Sequence, residues 1–169
     1  SMRIRATRDR KFLDLLPSDT EHQLNLRAAL AATRPGDRVL LLGAGTGALT
    51  AHLADHVGPS GAVTAFEADA QSVAYARARY PLDNAAHERL TKSTLNAEPA
   101  AAAETVILTP LSPPFDPAEL LGRLARPGRL LLLGPHTALA PRLKPVQGIA
   151  IEPVTAVSTA LLVRKLPAA

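Results

Sequence analysis

Cysteine is absent from the 169-residue chain, which excludes disulfides, thiolate metal sites and a cysteine nucleophile together. Tryptophan is absent as well, and aromatic residues make up only 3%. That argues against an aromatic nucleic-acid platform and leaves the core to Leu, Val, Ile and Ala. No apolar run reaches the roughly 18 residues that a membrane-crossing helix requires. The opening "SMRIRATRDRKF" also lacks the apolar segment of a secretion signal. The expectation is a soluble, cytoplasmic protein with no membrane partner.

What is present is a chain of 17.7 kDa, 47% hydrophobic and with a net charge of +4, long enough for one well-buried core. The charge is uneven. Arg3, Arg5, Arg8, Arg10 and Lys11 oppose only Asp9 in an N-terminal basic arm. Residues 12–109 are net acidic and the remainder is again net basic. Such an arm suits a solvated tail, and equally a contact with RNA or an acidic partner. The organisation expected is a basic arm with helices over 1–34 and one compact domain over 35–169.

Hydrophobic periodicity and turn residues predict helices over 8–16 and 19–33, the second capped by Ser18 or Asp19. "RPGDR" breaks the chain before a strand at 39–42, and Gly58 and Pro59 stop a helix over 46–57. A strand at "AVTAFEA", a helix over 70–80 and a weak third strand at "ERLTKS" follow. "AEPAAAAE" reads as a short helix or a loop. "ETVILT" is a strand, "PLSPPFDP" a rigid loop, and Asp116 caps a helix over 117–125. "RPGRLLLLG" is a turn and a buried strand, followed by a Pro-rich connection and a hairpin of "IAIEPV" with "STALLVRKL". Alternating strands and helices over 36–134 predict a mostly parallel sheet with helices on both faces and an antiparallel edge.

"VLLLGAGTGALT", residues 39–50, is a strand, a glycine loop and a helix in succession. Gly43, Gly45 and Gly47 allow a sharp turn and close approach of a ligand to the backbone, while the helix start offers unpaired N–H groups. Glu67 stands at the end of the next strand, where an acid can accept hydrogen bonds from ribose hydroxyls. An adenosine cofactor is implied. Gly43-x-Gly45-x-x-Ala48 satisfies the relaxed dinucleotide fingerprint, so NAD and S-adenosylmethionine both remain open at this point.

"PGDRVLLLGAGTGALTAHLADHVGPSGAVTAFEAD" resembles the first two motifs of the class I S-adenosylmethionine-dependent methyltransferases, in the branch of the protein isoaspartyl and tRNA adenine-58 N1-methyltransferases. "RPGRLLLLG" is similar to that family's turn and fifth strand. The resemblance implies an α/β, Rossmann-like, doubly wound sheet with a C-terminal antiparallel hairpin. It implies S-adenosylmethionine as cofactor and S-adenosylhomocysteine as product. Carried over by position, Gly43, Ala44, Gly45 and Gly47 would pass beneath the methionine part. Glu67 would hold the ribose with Ala68 beside the adenine, Leu95 against its other side, and Thr109 and Pro110 along the pocket. Leu41 stands where family members usually carry an acid that helps organise the loop and the cofactor's ammonium end.

Methyl transfer needs mainly alignment, with a base only where the acceptor must lose a proton. The candidate bases are His22, in the segment that flanks the active site in the isoaspartyl branch, and His136, just beyond the fifth strand. His52, His56 and His87 read as helical or loop-exposed. His52 and His56 are four apart on one helix, yet with no HExxH motif and no third ligand they assign no metal. "LSPPF" resembles the Ser/Asn/Asp-Pro-Pro-aromatic motif of enzymes that methylate nitrogen, but begins later after its strand and reads as a rigid loop. The expected activity is methylation of a small molecule by a monomer or homodimer. A non-catalytic binding protein of the same fold and an RNA methyltransferase are the alternatives.

Overall fold

Strand residues whose alternate side chains are all apolar can be buried on both faces, and the runs at 39–42, 106–108 and 130–133 have this character. In the computed structural model, which describes residues 20–154 and 157–168, these runs form the centre of one sheet. The basic arm, the helix expected over 8–16 and the Ser18 or Asp19 cap lie outside the described residues.

The order along the chain is α1 (Thr20–Ala32), β1 (Arg38–Leu42), α2 (Ala48–Val57), β2 (Ala62–Glu67), α3 (Ala70–Arg79), β3 (Ala85–Arg89) and α4 (Lys92–Asn96). Then come β4 (Ala103–Leu108), α5 (Pro117–Gly122), β5 (Leu124–Leu133), a 3-10 turn (Gly134–Leu139), α6 (Ala140–Leu143), β6 (Ile149–Val154) and β7 (Val157–Lys165). The seven strands lie in the order β3-β2-β1-β4-β5-β7-β6. Strands β1 to β5 pair in parallel, and β7 runs antiparallel to both β5 and β6. The chain therefore reverses its winding between β1 and β4, and the crevice outside the carboxyl ends of these strands is where open α/β sheets bind ligands.

The two-residue period of a strand divides the core in two. Val39, Leu41, Ile107, Leu131 and Leu133 face α1 and α2, meeting Ala28, Ala29, Ala32, Leu53, Ala54 and Val57. Leu40, Leu42, Val106, Leu108, Leu130 and Leu132 face the other way, onto Leu95, Leu120, Leu121 and Leu143. Burial of such side chains stabilises the fold by about 1.5–3 kcal/mol each. The small residues of α1 let that helix lie close to the sheet, and this brings its first turns over the crevice.

Helix starts follow local chemistry. The Asp69 side chain accepts from Ser72 N at the start of α3, and Asp116 accepts from Ala118 N at the start of α5, where Pro117 occupies the first turn. The third strand differs from the sequence expectation: it covers 85–89 rather than "ERLTKS", and 92–96 is helical. Asn84 fixes the strand's entry by donating to the carbonyls of Ala54 and Gly58, both at 2.9 Å. Thr91 and Thr94 form a reciprocal capping box that turns the chain into α4. "AEPA" closes this short helix in turns, and the expected helix over 117–125 stops at Gly122 because β5 already begins at Leu124.

Candidate functional site

The glycine loop leaves β1 at Gly43 with φ +87°, and a Cβ there would lie 2.4 Å from both Ser112 N and Thr109 Oγ1. Only glycine fits, and the reason is packing of the loop after β4 as well as backbone conformation. Gly43 N and Ala44 N both donate to the Phe66 carbonyl, at 2.9 and 3.0 Å. Gly47 at φ +99° begins α2 without a side-chain cap, and a Cβ on it would meet Ala76, Tyr80 and His87. The three-way junction of loop, α3 and β3 thus closes around this residue.

Glu67 is buried, and each of its carboxylate oxygens holds a backbone N–H: Oε1 accepts from Gly45 N at 2.9 Å and Oε2 from Asp69 N at 2.7 Å. These are charge-assisted bonds, worth about 1.5–3 kcal/mol each. They tie the middle of the glycine loop to the start of α3. Each oxygen keeps lone-pair capacity for a further donor. Leu41 is fully buried in the apolar layer under α1 and α2, so loop organisation in this chain comes from the carboxylate at the end of β2.

A second set of bonds fixes the other wall. Thr109 Oγ1 donates to the Gly43 carbonyl at 2.5 Å and accepts from Leu111 N at 3.2 Å. The Thr109 carbonyl accepts from Ser112 N at 3.0 Å and from His136 Nε2 at 2.8 Å. His136 is only 6% exposed, and because a carbonyl can only accept, its Nε2 carries the proton. His136 thus holds the Thr109 carbonyl and is not among the residues that line the cavity.

That cavity has a volume of about 600 Å³, within the range of small-molecule and cofactor sites. Its floor is Gly43, Ala44, Gly45 and Thr46, and Thr109, Pro110 and Leu111 form one wall. Helix α1 contributes Glu21, His22 and Asn25 from across the loop, and α2 contributes Leu49 and His52. No Lys or Arg lines it among the described residues. Gly43, Ala44, Gly45, Thr109, Pro110 and His22 are thus brought together. Glu67 and Ala68 lie outside the lining, Ala68 exposed at the end of β2. Leu95, on α4, is 4% exposed and packs in the core layer that holds Leu42 and Phe66.

Two cavity residues went unrecognised in the sequence. Asn25 is 6% exposed and its Oδ1 has no hydrogen-bond partner. Asn25, Ala28, Ala29 and Ala32 are all buried at helical spacing, so the period of the buried face carried the signal. His52, read as helical or loop-exposed, lies on α2 and is half-buried, and desolvation lowers its pKa, with Asp55 opposing. His56, four residues on, instead bonds the Thr33 carbonyl at 3.0 Å, so the pair does not converge on a common ligand. Phe115 of "LSPPF" packs on the core, and Ser112 Oγ donates to the Pro113 carbonyl at 2.8 Å, so that segment serves as a braced loop.

A family model described as the methyltransferase small domain matches residues 23–120. Among solved structures, an S-adenosylmethionine-dependent O-methyltransferase from Thermotoga maritima superposes with a TM-score of 0.66 at 17% identity, covering 100% of this chain and 72% of that one. The tRNA (m1A58) methyltransferase TrmI of Aquifex aeolicus gives 0.60 at 18% identity, over 85% of this chain and 68% of that one. Aeropyrum pernix fibrillarin in complex with natively bound S-adenosyl-L-methionine gives 0.62 at 16% identity, over 82% and 73%. These identities show a shared fold. No significant match is found among proteins of curated function.

Proposed function

Because the chain belongs to the methyltransferase small-domain family, we propose that it transfers a methyl group from S-adenosylmethionine to a small-molecule acceptor. The cofactor suits the residues present. A glycine loop that tolerates no Cβ at Gly43 and the start of α2 line a cavity of sufficient size, and the carboxylate at the end of β2 holds that loop at Gly45 N. Gly43, Ala44, Gly45 and Gly47 would carry the methionine part, with Thr109 and Pro110 beside it. Glu67 would use its remaining lone pairs for the ribose, next to Ala68. When bound, the cofactor supplies an electrophilic methyl on a sulfonium sulfur, so the protein's task is alignment and exclusion of water.

The observation that carries the small-molecule reading is the cavity wall. It is built from α1 and α2 of the same domain, with no Lys or Arg among its described residues to meet a phosphate backbone. His22 is the base candidate that lines this cavity, and His136 acts on the site through Thr109. The test is incubation with methyl-labelled S-adenosylmethionine and, separately, a small-molecule extract and total tRNA. Label in the small-molecule fraction is expected. Label confined to the tRNA would overturn the reading in favour of an RNA acceptor.

A further inference from the structure

Glu67 holds the middle of the glycine loop, and a different device holds its end. A Cβ on Gly47 would lie 2.8 Å from Ala76 Cβ, 2.9 Å from Tyr80 Cδ2 and 3.1 Å from His87 Cε1. The loop therefore rests on α3, on the residue that ends it and on an imidazole ring. Cε1 lies between the two ring nitrogens, so the nitrogen-bearing edge of His87 is the edge set against Gly47. His87 is 6% exposed and is the one buried side chain of β3. Its Nε2 has no hydrogen-bond partner among the described residues. A neutral ring can leave only a lone pair unmet at that atom. An imidazolium would bury an N–H donor and a charge there with no acceptor.

The surroundings disfavour the charged ring further. Helix α2 starts at Gly47, so the positive end of its peptide dipole lies beside the imidazole. Burial lowers the His87 pKa and Arg77 adds to this, with Glu88 and the Tyr80 backbone opposing. The other charged or titratable groups on the elements packed around it are Tyr75, Arg79 and Tyr80 on and after α3, Arg89 on β3, Glu67 on β2, and His52, Asp55 and His56 on α2. The main chain at this position is fixed. The His87 carbonyl accepts from Arg77 Nε at 2.8 Å, and His87 pairs with Ala65 of β2. A charged ring can thus reach water only by moving itself, and the loop that rests on it moves too.

Building on the cofactor reading above, we propose that neutral His87 is a positioning residue for the glycine loop, and that its protonation in mildly acidic solution displaces Gly47 and weakens cofactor binding.

The cofactor selects the ordered loop and with it the neutral ring. Affinity is therefore constant above about pH 6.5, the ordinary imidazole value, and falls below it by at most about tenfold per pH unit for one proton.

The test uses the full chain in two measurements between about pH 7.5 and 5, a range that spans imidazole titration. In the first, NMR without cofactor follows the His87 ring, the Gly47 amide and, as a distant reference, the Gly148 amide. Gly47 should titrate together with the ring while Gly148 stays still. The second is calorimetric titration with S-adenosylhomocysteine, whose affinity should fall about 3- to 10-fold over the lowest pH unit. His87→Gln and His87→Phe, which cannot gain the charge, should lose most of that pH dependence, whereas His52→Gln, a change within the cavity, should keep it. A Gly47 amide indifferent to the titrating ring, a ring that stays neutral until the fold is lost, an affinity that ignores pH, or an equal fall in the His87 variants would overturn the proposal. Should those variants not fold, the two wild-type measurements still decide. Failure of the wild-type chain to bind S-adenosylhomocysteine at neutral pH would instead overturn the methyltransferase reading, and the proposal with it.

Discussion

The two ends of the same sheet treat polar groups in opposite ways. At the amino end of the strands, Asp37 Oδ2 accepts from Arg34 N at 2.9 Å, Thr105 Oγ1 at 3.0 Å and Arg129 Nη2 at 2.7 Å, three donors on one carboxylate oxygen. Burial lowers the Arg129 pKa and Asp37 counters it, so the pair persists as a fixed brace between the start of β1 and β5. At the carboxyl end, Glu67, Thr109 and His136 spend their bonds on backbone, while Asn25 Oδ1 stays unmet at the wall of an open cavity. The difference separates a brace from a binding device: one end joins strand to strand through side chains, and the other uses side chains to hold the shape of a loop beside a cavity.

Substitutions at the two ends should therefore separate folding from binding. The largest expected effect is Asp37→Ala, which strands the buried Arg129 guanidinium and should cost about 3–5 kcal/mol. Denaturant unfolding measures it, and the fraction that remains folded should bind S-adenosylhomocysteine as the wild type does. Leu41→Asp tests whether an acid can be restored under the loop. With α1 and α2 packed over it, the carboxylate would be buried without a partner, and about 1–3 kcal/mol or more of stability should be lost with no gain in affinity. Gly43→Ala acts on the site end. Strain at φ +87° and the clash with Ser112 and Thr109 should cost about 1–3 kcal/mol and displace the loop, seen as lost cofactor binding in calorimetry.

The smallest effect is set by pH. His87 is buried and His52 half-buried, and desolvation lowers the pKa of both, aided at His87 by Arg77. Their unfolded forms titrate near about 6.5. Above that pH their neutral forms cost the fold nothing. Below it the unfolded chain takes up protons that the folded chain resists, and stability falls by at most about 1.4 kcal/mol per pH unit for each group. Melting temperatures between neutral and mildly acidic pH should show this slope, and His87→Gln should reduce it.

How much of this was legible in the sequence follows from how local each signal is. The strands at 39–42, 62–67 and 104–109, the Asp116 cap and the glycine loop announce themselves through continuous apolar runs or adjacent turn residues. Strand β3 does not, because "AAHER" is an edge strand with one buried side chain, His87, and its entry is fixed by Asn84 reaching across to α2. Helix α4 was hidden because Thr94 replaces the usual Glu or Gln of a capping box. Leu95 lies on that helix and packs in the core. His136 and Glu67 were placed correctly along the chain, but their partners, the Thr109 carbonyl and two backbone N–H groups, come from other strands and loops. Asn25 and His52 line the cavity only because α1 and α2 pack together over the crevice.

The most direct measurement is calorimetric titration of the full chain with S-adenosylhomocysteine, with NAD as control and Glu67→Ala as comparison. Saturable binding of S-adenosylhomocysteine without NAD binding is expected, weakened about 10- to 150-fold in Glu67→Ala. No binding of S-adenosylhomocysteine, or an affinity indifferent to Glu67→Ala, would contradict a cofactor site organised by that carboxylate.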